Sequence, residues 1–410
     1  MLTRIKIYFF NNNNKQFFSD VFLNLISNVL MISVVQFLVF PTLSSSVNSN
    51  YFGQIVTIYG INNVIVNCLG NSLNNIRILN REKDGSFTML AWIINVFSVV
   101  SIILFSIVYT SEMKIFDVIL FSFVTLLANT RAYCSSYYRI VLKYKDLLKL
   151  NFLIVFGNIF GYLMFFKFNS WVILFLFGEL FGLLYLFLSK NPLMLELINI
   201  EKLGKKVDRI ILRDFLQLFE TNLIANILNY LDRFLIAPLL GALSMGIFYA
   251  ASSVSKVFTM IISPMTNVLL SYITQKSFRL TKNSLLKIEV GFLILGFPCY
   301  FVMNILSNIL VNLLYPSFSE EASKLIPIIC VGISLDLVFN ILRPFMMRLY
   351  SLKYQTIIQM TSGFIYIVFS ILLSIYFNLI GFCIAYVLGI ALKLFLQTII
   401  IIFFKQNDEE

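Results

Sequence analysis

Long apolar segments separated by short polar connections run through the whole chain. A transmembrane helix needs about 20 predominantly apolar residues, and twelve segments reach roughly that length. They lie at 18–40, 51–73, 86–109, 115–138, 150–168, 171–189, 214–237, 246–273, 287–314, 323–348, 354–377 and 379–404. The pattern therefore predicts an all-α integral membrane protein with twelve transmembrane helices.

Positive charge lies mostly on one side of these segments. With the N-terminus placed inside, the cytoplasmic loops hold 23 of the 31 Lys and Arg residues, whereas the outside loops hold Lys114, Lys167 and Lys324. Because cytoplasmic loops of membrane proteins carry such an excess, both termini are predicted to be cytoplasmic. The same bias explains the net charge of +11, so nucleic acid is not predicted as a partner.

The longest cytoplasmic loop separates the sixth span from the seventh. It predicts three regions: an N-terminal six-helix lobe at 1–189, a cytoplasmic linker at 190–213 and a C-terminal six-helix lobe at 214–410. Since each half holds an even number of spans, the halves would be parallel repeats.

Glycine pairs four residues apart occur in two neighbouring spans. Gly157 and Gly161 lie in the fifth span, and Gly178 and Gly182 lie in the sixth. Small residues at this spacing let two helices approach closely. Packing within the chain is the prediction, and a dimer interface is the alternative.

The residues that are missing exclude several kinds of chemistry. The chain has no histidine, which removes Ser-His and Cys-His nucleophilic catalysis and the usual metal ligand. Gly204-Lys205-Lys206 lacks the upstream glycine and the hydroxyl residue of a phosphate-binding P-loop. The chain is therefore predicted to be a transporter without cofactor or metal, driven by an ion gradient or by a partner.

Five cations lie inside the predicted spans, where a charged side chain is costly and usually faces a cavity or a partner. They are Arg131, Arg233, Lys256, Arg343 and Lys393. Phosphate suits both the arginine fork and the lysine point charge, so an anionic substrate is predicted. Snorkelling to the membrane surface is the alternative for the three arginines. Asp232 and Arg233 point about 100° apart on a helix, which predicts a different partner for each.

Two carboxylates, Asp336 and Glu179, lie deep in the predicted spans. A buried carboxylate can bind and release a cation as a transporter alternates between states. Both are therefore candidates for ion coupling. The alternative is that each pairs with a buried cation such as Lys393.

Polar side chains form stripes in the first and seventh spans, with spacings of three and four that place them on one helix face. The stripes consist of Asp20, Asn24 and Asn28 in the first span and Asn222, Asn226 and Asn229 in the seventh. They predict either the wall of a water-filled cavity or hydrogen bonds between helices.

One stretch near the middle of the chain carries a resemblance. It reads Leu231-Asp232-Arg233-Phe234-Leu235-Ile236, then Gly241 and Gly246-Ile247-Phe248-Tyr249-Ala250-Ala251. It resembles the signature of Wzx-type flippases, which move O-antigen and capsular polysaccharide repeat units and belong to the MATE-like (MOP) superfamily. Tyr51-Phe52-Gly53 and Tyr315-Pro316 are weaker similarities.

The resemblance implies two six-helix lobes around a central cationic cavity that opens alternately to either side of the bacterial cytoplasmic (inner) membrane. It implies export of an undecaprenyl-diphosphate-linked oligosaccharide for lipopolysaccharide or capsule assembly. A polysaccharide polymerase and a chain-length regulator would be partners, together with the bilayer itself. By position, Arg233 and Lys256 match cavity cations of the family, although related lipid flippases tend to carry arginine in place of Lys256.

Two other functions compete with this interpretation. A membrane polymerase of the same pathways tends to have a large outside loop, whereas every predicted outside loop here is short. A cation-coupled MATE exporter of cationic drugs would have an acidic cavity, whereas the buried charges of this chain are mostly basic.

Overall fold

The computed structural model describes most of the chain as helix. The residues it describes are 22–23, 25–26, 29–79, 87–110, 112–141, 143–168, 170–199, 208–273, 280–350, 352–404 and 406. The predicted stripe residues Asp20, Asn24 and Asn28 lie outside these residues, and no strand occurs within them.

Six of the described helices precede the predicted linker at 190–213, and a seventh, short helix lies within it. They are α1 (Val29–Ser46), α2 (Ser49–Ile78), α3 (Phe87–Tyr109), α4 (Ile115–Ile140), α5 (Tyr144–Phe168), α6 (Ile173–Leu188) and α7 (Pro192–Ile198). A bend of 100° separates α6 from the short α7, because the chain turns at Lys190 with a φ of 51°.

Five more described helices come next, the first of which begins inside the predicted linker at Arg209, and two of the five are broken internally. They are α8 (Arg209–Asn229), α9 (Leu231–Ile273), α10 (Lys282–Leu314), α11 (Ser319–Leu349) and α12 (Leu352–Phe403). The break in α9 lies at Gly241, with a φ of 86°, and the break in α12 lies at Asn378, with a φ of 50°. Both values are left-handed and interrupt a right-handed helix.

The helices accommodate the twelve predicted spans. The described residues contain nine helices long and apolar enough to cross a membrane, or ten if α6 and α7 form one bent span. At 52 residues, α12 is long enough for two spans of about 20 residues each, and its break at Asn378 separates them. The more polar α8 supplies the remaining helix. The all-α membrane class is therefore confirmed.

One predicted boundary is wrong. The sequence pattern extends the seventh span to residue 237, but α8 ends at Asn229 because Tyr230 leaves helical geometry, with φ −110° and ψ 20°. Arg233, predicted near the outer end of the seventh span, therefore lies in the first turn of α9.

Packing groups the chain into two units. One unit holds Met1–Leu43 and Thr57–Leu231, and the other holds Ser44–Val56 and Asp232–Glu410. In the first unit, α8 packs against residues 66–79, which include the end of α2. The predicted lobes of 1–189 and 214–410 stay a prediction beside this grouping.

Close packing in the first unit depends on the two predicted glycine pairs. A Cβ on Gly157 would lie 2.4 Å from the Phe177 carbonyl oxygen, and a Cβ on Gly178 would lie 1.9 Å from Asn158 Oδ1. Since carbon and oxygen atoms cannot approach so closely, glycine is what lets α5 and α6 touch. The prediction of packing within the chain is confirmed.

The core of the second unit lies between α10, α11 and α12. It is an apolar cluster that includes Leu285 of α10, Leu342 of α11 with Tyr350 directly after it, and Ile358 and Ile401 of α12. The outer side of α10 differs, because Ile294 and Phe297 are among the exposed large apolar residues. Such outward apolar faces are expected of helices in a bilayer.

Candidate functional site

Asp232 holds two cations at the start of α9. Lys256 Nζ donates to Asp232 Oδ2 at 2.7 Å, and Arg233 Nη1 donates to the same oxygen. The Arg233 backbone N–H donates to Asp232 Oδ1 at 3.0 Å. We refer to Asp232, Arg233 and Lys256 as the Asp232 cluster.

The prediction that Asp232 and Arg233 have different partners is therefore wrong. The 100° argument holds for two residues in the middle of a helix. Asp232 instead lies in the first turn, where backbone N–H groups have no partner within the helix and a carboxylate commonly accepts from them. Its side chain folds back over that turn and meets its neighbour.

Gly241 brings Lys256 to the start of its own helix. Lys256 follows Asp232 by 24 residues, which would span about 36 Å in a straight helix. The chain changes direction at Gly241, whose φ of 86° is accessible to glycine without the steric cost that a Cβ would impose. The break is thus what assembles the cluster within the second unit.

Two aromatic rings lie against the cations of the Asp232 cluster. The Arg233 guanidinium carbon is 5.5 Å from the centre of the Tyr249 ring, and Lys256 Nζ is 5.3 Å from the centre of the Phe248 ring. Both distances allow cation–π attraction. Asp232 and Arg233 are buried, whereas the Lys256 side chain is 27% exposed, so Lys256 is the accessible side of the cluster.

The charges of the cluster are not balanced. Its three side chains carry two positive charges and one negative charge, which leaves a net charge of +1. Both cations share one carboxylate oxygen, so each has donors that this oxygen does not use. The cluster therefore carries one positive charge that Asp232 does not balance.

Arg131 and Glu179 form a separate pair in the first unit. Arg131 Nε donates to Glu179 Oε2 at 2.6 Å, and Arg131 Nη2 donates to Oε1 at 3.0 Å. This is a two-point pair between α4 and α6 in which one charge offsets the other. For Glu179 the structure favours pairing with a buried cation, and that cation is Arg131.

Asp336 has a different environment on α11. Its Oδ2 accepts from Asn340 Nδ2 at 2.9 Å. Lys393 and Arg343 act on the carboxylate electrostatically, but within the described residues neither forms an ion pair with it at 4 Å or less. Lys393 Nζ instead lies 5.8 Å from the centre of the Phe339 ring. Arg343 is exposed. A role of Asp336 in ion coupling stays a prediction.

Among the described residues, the polar stripe of the seventh span makes one hydrogen bond to another helix. Asn222 Nδ2 donates to Ser72 Oγ of α2 at 2.7 Å, and Asn226 Nδ2 donates to the Asn222 carbonyl oxygen at 2.8 Å. Asn229 is exposed at the end of α8. Asn222 therefore joins two helices, and a cavity wall stays a prediction for the stripe.

Sequence reasoning missed Asp232 as a site residue, although it selected both of its partners. The signal was available: Asp232 is adjacent to Arg233 in the recognised Leu231-Asp232-Arg233 stretch. What could not be seen was the end of α8 at Asn229, which converts a mid-helix pair into a helix start.

Comparisons with known proteins identify the fold. No family model and no curated protein matches the chain. An inward-facing multidrug resistance MATE transporter of the MOP superfamily superposes with a TM-score of 0.60 and 13% identity, over 92% of this chain and 93% of that one. The lipid II flippase MurJ, in an inward closed conformation, gives 0.59 and 14%, over 95% and 87%.

A third similar structure has a pocket of unusual charge. It is a MOP superfamily transporter from Pyrococcus furiosus, for which a reversed polarity of the binding pocket suggests a different function. Its TM-score is 0.54 at 11% identity, and the match covers 92% of this chain and 94% of that one. The chain therefore has the fold of MOP superfamily transporters.

Proposed function

We propose that the chain translocates an undecaprenyl-diphosphate-linked oligosaccharide repeat unit across the bacterial cytoplasmic membrane, for O-antigen or capsule assembly. It does so by alternating access and performs no covalent chemistry. The observation that carries the proposal is the net positive Asp232 cluster, in which Arg233 and Lys256 share one carboxylate. The fold that the chain shares with a lipid II flippase supports it.

Asp232 acts in this proposal as a counter-ion that the substrate replaces. Burying two cations with no anion would cost several kcal/mol each, so the empty site needs a carboxylate. A diphosphate carries more negative charge than one carboxylate, and it offers oxygens to the planar Arg233 fork and to the Lys256 ammonium at once. Asp232 recovers both cations when the diphosphate leaves.

The remaining cavity cations have unequal roles. Arg131 is committed to Glu179, so it positions α4 against α6 and does not bind substrate. Arg343 and Lys393 lie near Asp336 in the second unit, where they provide a further positive region for the anionic headgroup.

A cation-coupled exporter of another substrate is the second candidate, because a multidrug MATE transporter has the same fold. The excess of positive charge in the Asp232 cluster disfavours a cationic drug at that position. The pocket of the Pyrococcus furiosus transporter shows that polarity varies within this fold.

A flipping assay with the purified chain in proteoliposomes tests the proposal. We expect undecaprenyl-diphosphate-linked oligosaccharide to cross to the other leaflet, and a cationic dye not to be transported. The chain with both Arg233→Ala and Lys256→Ala should lose this movement, whereas Lys324→Ala, which removes an exposed cation, should keep it. Transport of the dye without movement of the diphosphate would establish the exporter instead.

A further inference from the structure

Glu289 is a buried acid that the proposed mechanism does not use. It lies on α10 and is 4% exposed. It follows Leu285 by four residues, so it shares the helix face that packs against α11 and α12 in the apolar core. Among the described residues, no Lys or Arg lies within 4 Å of its carboxyl group.

Within the described residues, the charged and titratable groups near Glu289 form no ion pair or hydrogen bond with its carboxyl group. Lys287 on α10 and Lys353 on α12 are exposed. Tyr350, directly after α11, donates its hydroxyl to the Ile401 carbonyl oxygen at 3.3 Å, and the Tyr354 ring of α12 lies tilted against the Phe404 ring. Within the described residues, neither tyrosine hydroxyl bonds to the Glu289 carboxyl group, whose partner is Thr398.

Hydrogen bonding indicates which protonation state fits. Thr398 Oγ1 of α12 lies 2.5 Å from Glu289 Oε1 and 2.9 Å from the Leu394 carbonyl oxygen. A hydroxyl has one proton, and a carbonyl oxygen can only accept. If Thr398 donates to Leu394, the proton between Thr398 and Glu289 must come from the carboxyl group.

The alternative arrangement costs more. An ionised Glu289 would receive one hydrogen bond, from Thr398, and Oε2 is buried without a partner among the described residues. Burying a carboxylate without a cation costs several kcal/mol. In the neutral acid the unsatisfied oxygen costs only about 1–3 kcal/mol. The protonated carboxyl group is therefore the stable form in this conformation.

We propose that Glu289 is a proton-binding site of the transporter, which holds a proton in this conformation and releases it to water when the end of α10 moves. No redox step is involved: a carboxylate takes up H⁺ and later returns it. That the proton drives transport rests on the proposed flippase function. In the predicted orientation, Glu289 lies about 10 Å from the cytoplasmic start of α10.

The sequence of α10 provides a way to open the site. Gly291, Gly296 and Pro298 follow Glu289 within nine residues. Glycine destabilises a helix by about 1 kcal/mol relative to alanine, and Pro298 cannot donate the backbone hydrogen bond that would close its turn. The helix can bend here and move Glu289 away from Thr398.

Infrared spectroscopy of the purified full-length chain at neutral pH tests proton binding without any substrate. We expect a carboxylic-acid C=O band that shifts in D₂O, disappears in Glu289→Gln and persists in Glu320→Gln, a matched variant at an exposed acid. Thr398→Val should shift the band, since it removes the hydrogen-bond partner and keeps the acid. The proposal would be overturned if Glu289→Gln showed the same acid bands as the wild type. It would also be overturned if Thr398→Val folded and its acid band were not shifted.

Transport in proteoliposomes tests the coupling. With undecaprenyl-diphosphate-linked oligosaccharide and an imposed pH gradient, the wild type should move substrate faster than without the gradient. Glu289→Gln should lose this acceleration and keep the gradient-independent exchange. If the variant keeps the full acceleration, Glu289 does not couple. If the wild type moves no substrate while the infrared band is present, the flippase function fails and the proton site stands.

Discussion

The two buried ion-pair sites of this protein are built differently. In the first unit, Arg131 and Glu179 meet through two hydrogen bonds, and their charges cancel. In the second unit, Asp232 faces both Arg233 and Lys256, and one positive charge is left over. Both sites are largely shielded from solvent.

The difference distinguishes an ion pair that stabilises the fold from a charged site that can bind a ligand. A closed pair such as Arg131–Glu179 uses both of its charged groups, so a ligand would have to break two hydrogen bonds. The Asp232 cluster already tolerates competition, because two donors share one acceptor oxygen. Buried charge by itself is therefore a weak indicator of a binding site, and unbalanced charge is a better one.

The largest expected effect comes from removing the excess charge. Truncating one member of a buried charge pair costs about 2–5 kcal/mol of binding, which is at least tenfold in affinity. We expect Lys256→Ala to abolish flipping and surface polysaccharide while the protein still reaches the membrane. Lys256→Arg should keep part of the activity, because the charge remains. Normal polysaccharide with both Arg233→Ala and Lys256→Ala would show that the cluster binds no substrate.

Breaking the closed pair should act on stability and not on binding. Glu179→Gln leaves Arg131 without its carboxylate, and breaking a buried pair costs about 3–5 kcal/mol. We expect a lower thermal unfolding midpoint of the detergent-solubilised protein. Arg131→Met combined with Glu179→Gln should recover part of that loss, since it removes the uncompensated charge. Recovery of stability without recovery of transport would instead give Arg131 a role in binding.

Asp336 offers an intermediate case, since Lys393 and Arg343 are near it without a direct ion pair. We expect Asp336→Asn to reduce the response of transport to imposed pH or sodium gradients. If Asp336→Asn fails and the addition of Lys393→Met restores transport, the acid only balances charge. Transport that is normal across all gradients in Asp336→Asn would end its candidacy for coupling.

The sequence predicted helices far better than side-chain partners. Hydrophobic length alone put a one-residue gap at Asn378 between the last two spans, and α12 breaks there. Helix spacing likewise predicted that glycines of α5 and α6 allow close packing. Both features depend on local composition, which can be read directly from the sequence.

Partners depend on where helices end and which helices meet. Asp232 was assigned away from Arg233 because the end of α8 at Asn229 has no strong sequence signal such as glycine or proline. The sequence did not predict Glu289 as a site residue, because Glu289 lies near the start of its span, where an acid would normally reach water. Its hydrogen-bond partner is Thr398, 109 residues later, and no local pattern reveals such a contact.

The smallest expected effect concerns Asn222, where a stripe predicted as a cavity wall or as interhelical bonding makes one bond to Ser72. A hydrogen bond between membrane helices contributes about 0.6 kcal/mol on average. We expect Asn222→Ala to lower the stability of the folded chain by about that amount, and Ser72→Ala combined with it to add little, because both changes remove the same bond. Asn229→Ala is the matched control, since Asn229 is exposed at the end of the same helix.

The measurement is thermal unfolding in detergent, together with the flipping rate in proteoliposomes. If the hydrogen bond between α8 and α2 only packs the two helices together, the flipping rate of Asn222→Ala should stay near the wild-type rate, as we expect for Asn229→Ala. A flipping rate that falls at least tenfold with an unchanged unfolding midpoint would assign Asn222 to a water-filled path, as the stripe first suggested.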